Sequence, residues 1–114
     1  MSEPLISILT PFKNTSLFLK ECLESICNQT YTHWELLIVD DHSADDSYQI
    51  VDDFAKKDSR ITLFKNTGSG IIHALRLAFE KSSGSYITRM DSDDIMHPEK
   101  LQIMLNDLQQ YGRK

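Results

Sequence analysis

Asp91-Ser92-Asp93-Asp94 gathers three carboxylates within four residues. Two carboxylates separated by one residue can both face a hard cation. Mg²⁺ and Mn²⁺ take oxygen ligands and keep waters and substrate phosphates in their shells. A cation bridged to a diphosphate would offset the charge building on a departing nucleotide. An acidic turn that caps the following helix is the plainer alternative. Asp40-Asp41 is a second pair. A carboxylate there can accept from a base N–H or a ribose hydroxyl, or it can cap the next helix. The formal net charge is −5, so the basic footprint that a nucleic-acid backbone requires is missing. An acidic chain that holds an anionic substrate needs a cation between them.

Other chemistries lack their residues. Gly68 and Gly70 do not complete GxGxxG, and GxxxxGK[ST] is absent, which argues against a dinucleotide fingerprint or a P-loop. No serine stands in GxSxG. His33, His42, His73 and His97 are scattered and form no zinc spacing with cysteine. His97, six residues after Asp91, reads as a solvated turn residue before a metal ligand or substrate contact. Cys22 and Cys27 would sit about 140° apart on a helix, too far round for a local disulfide, and read as small core residues.

These residues need elements to position them. Leu5 to Leu9 is an apolar run ended by Pro11, which suits a buried strand. Leu19, Cys22, Leu23, Ile26 and Cys27 repeat at helical spacing between Ser16 and Asn28. Trp34 to Val39 is a second strand. Tyr48, Val51, Phe54 and Ala55 mark a second helix, with Ser43 or Asp45 as its cap. Ile61 to Phe64 is a third strand, and Asn66 to Gly70 a loop. Ile71, Leu75, Ala78 and Phe79 give a third helical face. Tyr86 to Met90 is a fourth strand. Pro98 opens a last helix with the face Leu101, Met104, Leu105 and Leu108.

Strands alternating with helices predict an α/β fold with a mainly parallel sheet. The 114 residues, 40% hydrophobic and 25% charged, fit one ordinary globular domain spanning 1–114. Ligands of an open parallel sheet bind outside the carboxyl ends of its strands. That rule selects Thr10 to Asn14, Asp40 to Ser43, Lys65 to Gly70 and Asp91 to Asp94. Carboxylates repel one another at such an edge unless a cation or a donor group offsets them.

Three segments in order then resemble one family. They are Ser7-Ile8-Leu9-Thr10-Pro11-Phe12-Lys13-Asn14, Ser25-Ile26-Cys27-Asn28-Gln29-Thr30-Tyr31, and Glu35-Leu36-Leu37-Ile38-Val39-Asp40-Asp41-His42-Ser43. They resemble the opening of family 2 glycosyltransferases. Gly84 to Asp94, with Pro98 and Leu101, resembles that family's metal-binding segment. The resemblance implies a truncated GT-A fold, a Rossmann-like three-layer sandwich. It also implies a metal-dependent, inverting transfer from a nucleoside-diphosphate sugar, with uracil the usual base, as in polysaccharide biosynthesis. Pro11, Phe12, Lys13 and Asn14 would line the donor pocket. Asp41 would bond the base, Gly68 and its loop would lie near the donor, and Asp91 and Ser92 would approach it. Asp93, with Asp91, would hold Mn²⁺ or Mg²⁺. Relatives often place an aromatic residue before the asparagine, where this chain has Lys13, which offers a charge to a phosphate. His42 stands where the family often has glycine.

Full members carry roughly as much chain again, so this chain implies the donor half. The catalytic base and the saccharide, lipid or protein acceptor site are expected outside it. Met1-Ser2-Glu3-Pro4 lacks the regions of a signal peptide, and no stretch nears the roughly 20 apolar residues of a membrane span. The cytoplasm is the expected compartment, including the inner face of a membrane reached through the missing part. Two alternatives belong to other classes. One is a nucleotide-binding fragment without transferase activity. The other is a receiver-like signalling domain, which needs carboxylates after strands one and three, whereas these follow strands two and four.

Overall fold

The computed structural model describes residues 3–111, with side chains as far as Gln109. Met1, Ser2 and the closing Gly112-Arg113-Lys114 lie outside the described residues. Four strands alternate with four helices. They are β1 (Ile6–Phe12), α1 (Ser16–Cys27), β2 (Trp34–Asp40), α2 (Ser47–Lys57), β3 (Ile61–Lys65), α3 (Ile71–Lys81), β4 (Tyr86–Arg89) and α4 (Lys100–Tyr111). The strands form one parallel sheet in the order β3-β2-β1-β4. This is the parallel α/β fold that the alternation predicts and the three-layer sandwich that the resemblance implies.

Strand alternation assigns the two faces. Ile6, Ile8 and Phe12 of β1 and Leu36 and Ile38 of β2 face a core shared with α1, α2 and α4. Leu19, Cys22, Leu23 and Ile26 of α1 are wholly buried there, as are Val51 of α2 and Leu101 of α4. Each fully buried Leu, Ile or Val contributes about 2 kcal/mol. Leu9, Leu37 and Val39 face the other way, onto Ala74 and Ala78 of α3.

Several boundaries differ from expectation for local reasons. Pro11 does not end β1, which continues to Phe12 opposite Asp40. Leu9 bonds toward the β4 side, where its carbonyl accepts from Met90. Pro11 faces the same side by alternation, but β4 pairs with β1 only as far as Leu9. The missing N–H of Pro11 therefore breaks no ladder bond. The buried face of α3 is rotated. Ile71 and Phe79 are 50% and 57% exposed, while Ala74 and Ala78 are buried and let the helix approach the sheet closely. Asp46 takes the cap position of α2 without a side-chain bond. The neighbouring Asp45 accepts from Ser47 N (2.9 Å) instead. Pro98 does not open α4. It lies in a turn before Lys100, where its carbonyl accepts from Thr30 N (2.9 Å).

Candidate functional site

All four strands point their carboxyl ends at one edge, and a cavity of about 400 Å³ opens there. Pro11, Phe12, Lys13 and Thr15 line it from the end of β1 and the start of α1. Asp41 follows β2, and Ile71 begins α3. Arg89, Asp91, Ser92 and Asp93 come from the end of β4. The cavity lies beside the central strand β1 because β4 stops three residues short of it.

Asp41 is 8% exposed and tightly held. Its Oδ1 accepts from Asn66 Nδ2 (3.0 Å) and Gly70 N (3.0 Å), and Oδ2 lies 3.2 Å from the same Gly70 amide. Gly70 is the cap residue of α3, with φ 92°. Asp41 thus supplies the negative group at that helix start, and it caps α3 rather than the next helix, α2. Asp41 is also among the residues that line the cavity. Asp40 shapes the turn by accepting from Ser43 N (3.0 Å). His42 adopts φ 62°, a conformation that favours glycine, and its Nε2–H donates to Gly68 O (2.6 Å).

Asn14 and Gly68 are not among the lining residues. Asn14, at φ 53°, donates its N–H to Ser43 Oγ (3.0 Å) and accepts from Ala44 N (2.7 Å). It ties the β1 loop to the β2 loop. Gly68 lies behind Asp41, with its amide bonded to Asn66 Oδ1 (3.3 Å). The structure therefore brings Pro11, Phe12, Lys13, Asp41, Asp91, Ser92 and Asp93 together at one cavity. Asn14 and Gly68 support the loops around it.

Asp91, Asp93 and Asp94 are all exposed, and each offers a carboxylate oxygen within 4.8 Å of the others. Asp94 N donates to Asp91 O (3.1 Å), a turn that folds Asp94 back over Asp91. An all-oxygen, exposed donor set suits Mg²⁺ or Mn²⁺, with coordination positions left for water and phosphate. Beneath it, the Cys22 thiol is pushed up to about 12, first by burial and then by Asp94, Asp93 and Asp91. Burial is the main cause, and the negative potential of the cluster adds to it. Cys22 and Cys27 are both free.

Sequence reasoning missed Thr15, Ile71, Arg89 and the ligand geometry of Asp94. The two-residue spacing of Arg89 and Asp91 was the available signal, since residues two apart in extended chain lie on the same side. Arg89 Nε donates to Asp91 Oδ1 at 3.2 Å. A larger hollow of about 730 Å³ lies between α1 and α2. There Lys20 and Lys57 accompany Glu24 and Asp53, a balanced surface with no charge excess for an anion. Among the described residues, no helix is long and apolar enough to cross a membrane.

Residues 7–114 match the model of glycosyl transferase family 2. The chain is 40% identical over 107 residues to an uncharacterized glycosyltransferase of Haemophilus influenzae, covering 93% of this chain and 43% of that protein. It is 38% identical over 111 residues to glycosyltransferase GlyG of Streptococcus pneumoniae, covering 96% and 36%. The chain thus spans less than half the length of these curated relatives. Its fold matches S. aureus TarS in complex with UDP at a TM-score of 0.85 and 23% identity, covering 94% of this chain and 32% of that one. It also matches the mannosyltransferase PcManGT of Pyrobaculum calidifontis, in complex with GDP-Man and Mn²⁺, at 0.86 and 25% identity, covering 94% and 33%.

Proposed function

The chain belongs to glycosyl transferase family 2, and from that premise we propose that residues 1–114 form the donor-binding domain of an enzyme that transfers a sugar from a nucleoside diphosphate to an acceptor hydroxyl. The observation that carries the reading is one cavity at the carboxyl edge into which Asp41 and the Asp91–Asp93 turn both open. The match to GT-A neighbours bound to UDP and to GDP-Man supports it.

Asp41 is held rigidly by Asn66 and Gly70 and presents its remaining acceptor edge to a base N–H or a ribose hydroxyl. Pro11 and Phe12 supply apolar wall. Lys13 is exposed at the rim and faces the anionic part of the donor. Asp93 and Asp91, with Asp94 beside them, would hold Mn²⁺ or Mg²⁺. When bound, the cation supplies positive charge against the diphosphate that leaves. Transfer proceeds with inversion, and the base that takes the acceptor proton comes from chain beyond these residues. Uracil is the proposed base. A saccharide, lipid or protein hydroxyl is the acceptor class, as in polysaccharide assembly. The proposed compartment is the cytoplasm, including the inner face of a membrane.

Calorimetric titration with UDP and with GDP, each with and without Mn²⁺, tests the reading. Binding of one nucleotide that requires Mn²⁺ and disappears in Asp93→Ala is the expected result. A preference for GDP would correct the base alone. Binding of neither nucleotide in the presence of Mn²⁺ would overturn the donor reading.

A further inference from the structure

Arg89 ends β4 opposite Leu9, so its backbone is fixed by the sheet while its side chain lines the cavity. Its side chain is 48% exposed and bonds the described residues through Nε alone, at 3.2 Å from Asp91 Oδ1. Nη1 and Nη2 have no partner among the described residues. Arg60 shows the contrast. Its Nε and Nη2 donate to Asp58, its Nη1 donates to Thr32 O, and its guanidinium stacks 3.8 Å from the Trp34 ring centroid. Every edge of Arg60 is engaged by the fold. In Arg89 the two terminal nitrogens, whose planar geometry matches a phosphate, remain open on a side chain that lines a cavity whose other charged residues are Lys13, Asp41, Asp91 and Asp93.

We propose that Arg89 is a positioning residue with two partners, holding Asp91 through Nε and presenting Nη1 and Nη2 to the diphosphate of the donor. The inference rests on the donor reading above and deepens it. It assigns to Arg89 two effects of opposite sign. A guanidinium on Asp91 competes with a cation for that carboxylate, so Arg89 weakens the binding of a metal ion alone. The same guanidinium attracts a diphosphate, so it strengthens the binding of a nucleotide. Lys13 is the other cation lining the cavity, but it stands on an exposed loop and lacks the fork.

The test uses the chain and its Arg89→Ala and Arg89→Lys variants with three probes: MnCl₂ alone, UDP and GDP with saturating Mn²⁺, and uridine and guanosine. Free Mn²⁺ is followed by electron paramagnetic resonance and the nucleotides by calorimetry. In Arg89→Ala, Mn²⁺ alone is expected to bind about threefold tighter, as for loss of one exposed ion pair. The nucleoside diphosphate is expected to bind about tenfold weaker, as for a lost hydrogen bond to a charged group. Nucleoside binding stays unchanged. Arg89→Lys keeps the charge and recovers part of the diphosphate affinity. A merely structural role would weaken all three probes together, and that pattern would overturn the proposal. Unchanged diphosphate affinity in Arg89→Ala, with the parent chain binding normally, would overturn it while leaving the donor reading intact. Failure of the parent chain to bind either nucleotide would overturn both.

Discussion

Carboxylates at the two ends of the sheet have opposite surroundings. At the amino edge, Glu35 accepts from Ser7 Oγ (2.6 Å), Ser83 N (2.6 Å) and Ser83 Oγ (3.2 Å), and Ser7 Oγ in turn accepts from Gly84 N (2.8 Å). This network joins the start of β1 to the residues before β4, and its acceptor capacity is used inside the chain. At the carboxyl edge, Asp91, Asp93 and Asp94 stand exposed and close together. Arg89 answers Asp91 from the side. The chemical group is the same at both ends. The number of internal donors decides whether it holds the fold together or waits for a ligand. Like charges kept within 4.8 Å cost stability, and the cation of the proposed function would offset that cost.

In unfolding stability, the largest expected effect is at the amino edge. A Cβ at Gly84 would lie 2.5 Å from Ser7 Oγ, 2.7 Å from Leu5 O and 2.8 Å from Ser7 N. Two of those neighbours are backbone, one in the central strand β1 and one in the residue just before it, and cannot yield easily. Gly84→Ala should therefore cost about 3 kcal/mol in urea unfolding. An unchanged midpoint would mean that this edge is looser than its hydrogen bonds indicate.

Asp45 sharpens the comparison, because it is exposed like the cluster yet engaged like Glu35. Its Oδ1 accepts from Ser47 N (2.9 Å) at the start of α2, and its Oδ2 from Ser16 N (3.3 Å) at the start of α1. Those bonds, Ser47 first, hold its carboxyl down at about 2. The folded value lies below the unfolded one. Its stabilisation is thus complete above about pH 4 and is lost as pH falls toward 2. Asp45→Ala should lower the thermal midpoint at pH 6, and the gap to the parent chain should close between pH 4 and 2. A gap that persists at pH 2 would assign the loss to something other than the charge.

The smallest expected stability effect is at the ligand edge. Asp93→Ala removes one of three mutually repelling, exposed carboxylates and should shift the unfolding free energy by less than about 0.5 kcal/mol without metal. Added Mn²⁺ should raise the thermal midpoint of the parent chain and leave that of the variant unmoved. A large loss without metal would place Asp93 among the structural carboxylates and collapse the contrast.

The alternation of periods was enough to read eight elements and the parallel sheet, and the strand-end rule selected the segments that surround the cavity. What escaped was set by neighbours distant in sequence. Pro11 looked like a strand end because sequence does not reveal that β4 stops opposite Leu9. The stretch Ile71-Ile72-His73-Ala74-Leu75 offers apolar residues on more than one side, and the larger side chains drew the expected face away from Ala74 and Ala78. Asp41 reads as a cap or a ligand contact, and the structure shows it joined to Gly70 at a helix start 29 residues on. Asp94 joins Asp91 and Asp93 only because a four-residue turn closes. His42 was visible as a residue standing where glycine is common, and its φ of 62° explains the preference.

The sheet order has a temporal consequence. β1 is the first strand of the chain and lies between β2 and β4, with Ile6 opposite both Trp34 and Tyr86. At roughly 5 to 20 residues per second of synthesis, Tyr86 follows Ile6 by roughly 4 to 16 s. For that interval the flank of β1 that will receive β4 has no partner strand. Until β4 is made, that flank is an edge open to pairing with another chain, so the late strand β4 protects the early strand β1.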